Sequence, residues 1–196
     1  MLPPRPALVL ASTSPYRREL LARLSLPFEV ASPVVDESAL PGETPDQLAE
    51  RLAELKARTV AKAFPNALII GSDQVAYCGQ TVFGKPLTHD NAVRQLETMS
   101  GRTVTFATAI CLVDASTGRA RERIVDTRVT FRLLTRERIE RYLQIEKPYN
   151  CAGSAKSEGL GIGLIAAMEC TDPTALVGLP LIALCDLLES EGIRPF

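Results

Sequence analysis

The chain has 196 residues, 46% of them hydrophobic and 23% charged, with a formal net charge of −1. That length suits one domain or two small lobes round a cleft, and the near-zero balance excludes bulk attraction to nucleic acid or an anionic membrane. Any phosphate must therefore be held by a local cluster of cations.

No apolar run approaches membrane-spanning length. The run after Arg5, Ala7-Leu8-Val9-Leu10, is too short for a signal peptide and no cleavage site follows, so export is not expected. The five cysteines, Cys78, Cys111, Cys151, Cys170 and Cys185, are odd in number and widely spaced, and no C-x-x-C occurs. That excludes a disulfide framework and a structural zinc site. His89 is the single histidine, which excludes a histidine triad or a multi-histidine metal site. A metal would need oxygen ligands, as Mg²⁺ or Mn²⁺ do.

In chain order, Ala7-Leu8-Val9-Leu10-Ala11-Ser12 reads as a buried strand. Ser14 is a good N-cap and Pro15 a good first residue for the helix that follows, with Leu20, Leu21 and Leu24 as its inward stripe. Arg17 and Arg18 stand in its first turn, where a cation opposes the helix dipole by about 0.3–1 kcal/mol. Exposure explains Arg18. For Arg17, an anion at that helix end reverses the argument, with Ser12, Ser14 and free N–H groups converging on a phosphate. Phe28–Ala31 reads as a second strand, and Asp36-Glu37 presents two carboxylates in a loop.

Thr44-Pro45-Asp46-Gln47 is a helix start with a capping box, and the pattern predicts helix to about Ala63. Lys56 falls inside the inward arc of that helix. A lysine there either snorkels or meets an anion. Ala67-Leu68-Ile69-Ile70 reads as a buried strand ending in Gly71-Ser72-Asp73. Ligands of open α/β sheets sit beyond the carboxyl ends of such strands, which makes Asp73 a candidate catalytic or metal-binding group; taken alone, it reads more readily as a turn cap.

Val75 to Phe83 predicts a hairpin turning near Cys78-Gly79-Gln80. Gly84-Lys85-Pro86 holds Lys85 on restricted backbone but is not a P-loop. Thr88 caps a helix over about 89–99 with Ala92, Val93 and Leu96 inward, and His89 reads as a surface residue of its first turn. Thr103–Val113 and Arg123–Leu134 predict an antiparallel pair. Thr135 caps a helix with Ile139, Tyr142 and Leu143 inward, and hairpin plus helix, 101–149, are expected to form a second lobe beside 1–100 and 150–196. Pro148 to Gly159 is dense in small and polar groups, with Lys156 and Glu158 as candidate site residues. Gly159-Leu160-Gly161-Ile162-Gly163 reads as a flexible loop or irregular strand. Pro180 starts a last helix, apolar enough for burial, partly in a dimer interface.

Cations, a helix end and a carboxylate pair suit a polyphosphate, whose cleavage needs charge stabilisation and a positioned water. Ala11-Ser12-Thr13-Ser14-Pro15-Tyr16-Arg17-Arg18-Glu19-Leu20-Leu21, Val35-Asp36-Glu37, Lys56-Ala57, Gly71-Ser72-Asp73-Gln74-Val75 and Gly84-Lys85-Pro86-Leu87 together resemble the Maf family of nucleoside triphosphate pyrophosphatases, over about residues 8–192. The resemblance implies an α/β fold with a mixed sheet, like the inosine triphosphate pyrophosphatases, in two lobes around a central cleft. It implies cleavage between the α- and β-phosphates with a divalent cation (Mg²⁺, Mn²⁺ or Co²⁺), in a cytoplasmic, often dimeric protein without nucleic-acid or membrane partners. Asp73 matches the family's proton acceptor. The expected metal ligands are Glu37 and Asp73, and the expected phosphate-binding set is Ser12, Ser14, Arg17, Lys56, Lys85 and Lys156.

The commonest pattern of that family has arginine in place of Tyr16, threonine in place of Gln74 and a Gln-Gly motif in place of Cys151–Gly159. These three departures are similar to those of the subgroup that hydrolyses 7-methyl-GTP. N7-methylation makes the base cationic, which favours aromatic and acidic contacts, so Tyr16, Gln74 and Glu158 are the expected specificity residues. The alternatives are a nucleotide-binding regulator of cell division without turnover and, more weakly, a nucleic-acid-binding module, which the near-neutral charge disfavours.

Overall fold

The computed structural model describes residues 6–195, so Arg5 lies outside the described residues. Seven strands build one mixed sheet in the order β2-β1-β3-β5-β6-β7, with β4 on β3. The elements are β1 (Ala7–Ala11), α1 (Pro15–Ala22), β2 (Glu29–Ala31), α2 (Pro45–Ala61), β3 (Ala67–Cys78), β4 (Thr81–Phe83), α3 (His89–Met99), β5 (Thr103–Asp114), β6 (Ala120–Phe131), α4 (Arg136–Glu146), β7 (Ile165–Cys170) and α5 (Leu181–Ser190). The mixed α/β class expected from the sequence is what the sheet shows.

The chain divides into two compact units. One holds the described residues up to Asp73 with Thr108–Val125 and those from Asp172 onward; the other holds Gln74–Ala107 and Asp126–Thr171. In that sheet β5 lies between β3 and β6.

In the first unit, β1 pairs in parallel with β2 and with β3, from Ala7 opposite Ala67 to Ala11 opposite Gly71. Side chains alternate across a strand, so Leu8, Leu10, Leu68 and Ile70 share a face. They join Leu20 and Leu21 of α1 and Leu184, Leu187 and Leu188 of α5 in one core. Each such side chain contributes about 1.5–3 kcal/mol on burial. Helix α2 begins at the expected capping box, Thr44 with Gln47, and buries Ala49, Leu52, Ala53, Lys56, Ala57 and Val60. It lies very close to β3: a Cβ on Gly71 would stand 2.1 Å from the Ala53 carbonyl oxygen and 2.9 Å from the Ala57 Cβ.

One expectation is corrected here. The strand read as ending at Asp73 runs on to Cys78. Only its parallel pairing with β1 stops, at Gly71. Beyond that point β4 folds back on it, with Ala76 opposite Phe83, across a turn at Gly79 (φ +61°). Asp73 therefore sits in mid-strand, two residues past the end of β1.

In the second unit, α3 buries Ala92, Val93, Leu96 and Met99, and α4 buries Ile139, Tyr142 and Leu143. The Gly159–Gly163 stretch forms a short 3₁₀ turn, Leu160–Leu164, and leads into β7. Sequence reading missed β7 because only Ile165 of its six residues is buried, leaving no apolar alternation. It is an edge strand held by backbone pairing to β6, with Val129 opposite Met168.

Candidate active site

In the first unit the charged side chains come from three different origins and meet. Lys56 faces inward from the middle of α2 and is only 6% exposed. Its Nζ donates to Asp73 Oδ1 at 2.5 Å and lies 2.6 Å from Glu37 Oε1. Asp73 comes from β3, and Glu37 from the loop before α2. An ammonium ion buried this deeply must be paired, and it is paired twice. The Lys56 side chain thus meets carboxylates and does not snorkel.

Arg17 stands in the first turn of α1 with no acidic residue there to offset it. Its Nε donates to the Gly178 carbonyl oxygen at 2.7 Å. Burial lowers its pKa, and the nearby charges of Asp73 and Glu37 oppose that shift; a guanidinium stays charged throughout. The Gly178 carbonyl also accepts from Ser72 Oγ at 3.0 Å, a hydroxyl that lies 2.8 Å from the Ala109 carbonyl oxygen as well. One backbone carbonyl thereby ties the α1 arginine to the strand residue that precedes Asp73. Sequence reading missed Gly178 entirely, since nothing in a Val-Gly-Leu stretch marks a carbonyl as an acceptor.

Ser14 caps α1, its side chain accepting from Arg17 N at 3.4 Å, and the buried Ser12 hydroxyl accepts from Ser14 N at 3.1 Å. Both expected phosphate-binding serines thus shape the β1–α1 turn. Beside this turn lies an open hollow of about 360 Å³, bounded also by Arg18, Glu19 and Val30. Tyr16 is half-buried in α1. The loop after Glu37 is strapped to α2 by Arg51, which donates to both Glu43 carboxylate oxygens (2.5 and 2.9 Å) and to the Ser38 carbonyl oxygen at 2.9 Å. This hydrogen bonding pulls the Glu43 carboxyl down to about 2.

In the second unit two loops carry the remaining candidates. Gly84 N-terminal to Lys85 offers its carbonyl oxygen to Gln95 Nε2 (3.0 Å) and to Gly153 N (3.3 Å). Gln95 Oε1 in turn accepts from the buried Ser154 hydroxyl at 2.6 Å. The Lys85 loop and the Lys156 loop are therefore fastened side by side. Lys85 and Glu158 are exposed, and Gln74 is half-buried on β3. Lys156 Nζ pairs with Glu146 Oε1 at 3.1 Å. His89, read as a surface residue, is half-buried; its ring nitrogens lie 3.1 Å from the Tyr149 hydroxyl and 2.7 Å from Glu140 Oε2.

For a metal, Glu37 and Asp73 offer hard oxygen donors that already converge on one cation, Lys56 Nζ. Among the described residues no group of three or more His, Cys, Asp or Glu side chains stands together. A two-carboxylate set matches the way Mg²⁺ is held when substrate phosphates supply further ligands. The donor set therefore fits a divalent cation bound together with a polyphosphate.

Residues 7–191 match the model of the Maf-like protein family. The chain belongs to that family. A relative from Methylobacillus flagellatus, named 7-methyl-GTP pyrophosphatase, is 61% identical over 188 residues, covering 96% of this chain and 98% of its own. Relatives of the same name from a Polaromonas species (59% identical, 96% of this chain and 86% of theirs) and from Nitrosococcus oceani (57%, 97% and 96%) are similar over nearly the whole length. Among solved structures, a HAM1 protein from Coxiella burnetii aligns at 17% identity with a TM-score of 0.45, covering 65% of this chain and 73% of its own. No helix among the described residues is long and apolar enough to cross a membrane.

Proposed function

We propose that this protein is a cytoplasmic pyrophosphatase that hydrolyses 7-methyl-GTP to 7-methyl-GMP and pyrophosphate, breaking the α–β phosphoanhydride by addition of one water. The observation that carries this reading is the Lys56 ammonium clamped between Asp73 and Glu37, with the Arg17 guanidinium directed from a helix N-terminus. It is supported by the family membership and by relatives more than half identical that carry that name.

Asp73 is the group we assign as general base, accepting the proton of the attacking water. Lys56 and Arg17 stabilise the negative charge that develops on the phosphoryl oxygens. Glu37 and Asp73 are the residues that would hold a divalent cation. When bound, that ion supplies charge neutralisation at the phosphates and a lower pKa for bound water. Lys85 and Lys156 serve the outer phosphates as point charges. Tyr16, Gln74 and Glu158 select the base, Tyr16 through its ring face and Glu158 through its charge toward a cationic purine. A homodimer is the expected assembly.

The test is a nucleotide panel containing GTP, dTTP, UTP and 7-methyl-GTP with Mg²⁺, Mn²⁺ or Co²⁺, scored separately for pyrophosphate and orthophosphate. Pyrophosphate released fastest from 7-methyl-GTP is the expected result. Orthophosphate as the product would overturn the reaction, and equal rates on GTP and 7-methyl-GTP would overturn the roles of Tyr16, Gln74 and Glu158.

A further inference from the structure

The loop that carries Lys156 and Glu158 is irregular, yet it is held to one helix face at three points. Tyr142 and Glu146 stand four residues apart on α4, and side chains at that spacing share a face. The Tyr142 hydroxyl donates to the Ser154 carbonyl oxygen at 3.2 Å and accepts from Lys156 N at 3.1 Å. Glu146 Oε2 accepts from Leu160 N at 2.7 Å, and Glu146 Oε1 lies 3.1 Å from Lys156 Nζ. Both side chains therefore grip the loop on either side of its turn.

The seat is tight. A Cβ on Gly159 would stand 2.6 Å from Glu146 Oε2 and 2.9 Å from its Cδ. A Cβ on Gly161 would stand 2.5 Å from the Lys156 carbonyl oxygen. These two glycines, which imitate a phosphate fingerprint in the sequence, serve close packing of the loop against α4 and against itself. Ser154 holds a left-handed backbone (φ +56°) with its side chain inside the protein, a conformation that costs about 1–3 kcal/mol and persists only where the surroundings enforce it. The Leu160 amide is the main cause that holds the Glu146 carboxyl below its ordinary range, while burial pushes the Tyr142 hydroxyl up and keeps it a proton donor.

We infer that Tyr142 and Glu146 are positioning residues that set Lys156 and Glu158 for the nucleotide, an inference that rests on the proposed pyrophosphatase reading. Neither needs to touch the substrate. Glu146 fixes where the Lys156 ammonium starts, and Tyr142 fixes the backbone from which Lys156 projects.

Three variants separate the contributions: Glu146→Ala removes both contacts, Glu146→Gln keeps an acceptor for Leu160 N but removes the charge facing Lys156, and Tyr142→Phe removes the hydroxyl. Amide hydrogen exchange of the full chain without nucleotide is read first. Exchange at Leu160 is expected to rise about tenfold in Glu146→Ala and to return toward wild type in Glu146→Gln, and exchange at Lys156 to rise about tenfold in Tyr142→Phe, with β1 and β3 unchanged. KM for 7-methyl-GTP is expected to rise about five- to tenfold in Glu146→Ala with kcat within about twofold. On a Lys156→Ala background the same substitution should add less than it does in the wild type, because part of its effect acts through Lys156. Unchanged exchange at both amides, or a KM effect that adds fully to that of Lys156→Ala, would overturn the inference. A wild-type protein that does not turn over 7-methyl-GTP would sink the activity reading, and the exchange measurement would still decide the inference.

Discussion

Two regions hold candidate residues, and they hold them by different means. In the first unit Arg17, Lys56 and Asp73 project from the first turn of α1, the middle of α2 and the middle of β3; Lys56 pairs with Asp73 and Glu37, and Arg17 donates to the Gly178 carbonyl. In the second unit Lys156 and Glu158 project from an irregular segment whose shape is set by Gln95, Tyr142 and Glu146, mostly through bonds to its backbone. Regular elements fix a side chain by their own geometry. An irregular loop borrows its geometry from elsewhere in the chain. The first arrangement suits chemistry that needs sub-ångström placement; the second suits selection among substrates.

The comparison breaks most sharply at Asp73. Asp73→Asn keeps size and strand pairing, so the fold should survive, while kcat for pyrophosphate release from 7-methyl-GTP should drop about 10²–10⁴-fold, the usual share of a general base. A loss under tenfold would move the chemistry away from the first unit's charged set.

A smaller effect tests rigidity. Gly71→Ala places a methyl group 2.1 Å from the Ala53 carbonyl oxygen and should destabilise the protein by about 1–3 kcal/mol, since β3 and α2 must part. The control is Gly163→Ala in the second unit, where nothing lies within 4 Å of an added Cβ; it should change stability by no more than about 0.5 kcal/mol. Thermal unfolding of both variants reads the contrast, and equal shifts would show that the two regions are equally yielding.

The smallest effect is on pH. The Glu43 carboxyl is depressed from an ordinary 4.5 to about 2, first by the Arg51 hydrogen bond and then by the Leu40 amide. A carboxyl with a lowered folded-state pKa contributes stability that is complete above its unfolded value and is lost as pH falls through the folded one. Protection of the Leu40 amide should therefore be complete above about pH 5 and fade between about 4.5 and 2. In Glu43→Gln that fading should disappear, and a wild-type profile flat across this window would refute the strap.

Much of the first unit was legible in the chain. Ser14 and Thr44 announce helix starts because a cap is a local arrangement of neighbours. Lys56 is inward by helical period alone. Its partners were not readable from that period: the pairing with Asp73 depends on how close α2 lies to β3, and Gly71 permits that approach. The continuation of β3 past Asp73 was hidden for a similar reason, since Gly-Ser-Asp reads as a local stop and only the neighbouring strands carry it on to Cys78. In the second unit Tyr142 was legible as an inward residue, but its hydroxyl bonds span 12 and 14 positions.

Local order and charge thus belong to the sequence: helix caps, apolar stripes, the oxygen-rich donor set and the odd cations, all set by neighbours within a few positions. The fold adds every relation between distant residues, from the Gly178 carbonyl that orients Arg17 to the α4 face that holds the 154–160 loop. The reason is physical. Caps and periodicity are short-range properties of a backbone, whereas a buried charge or a strained loop is satisfied only by groups that packing brings to it.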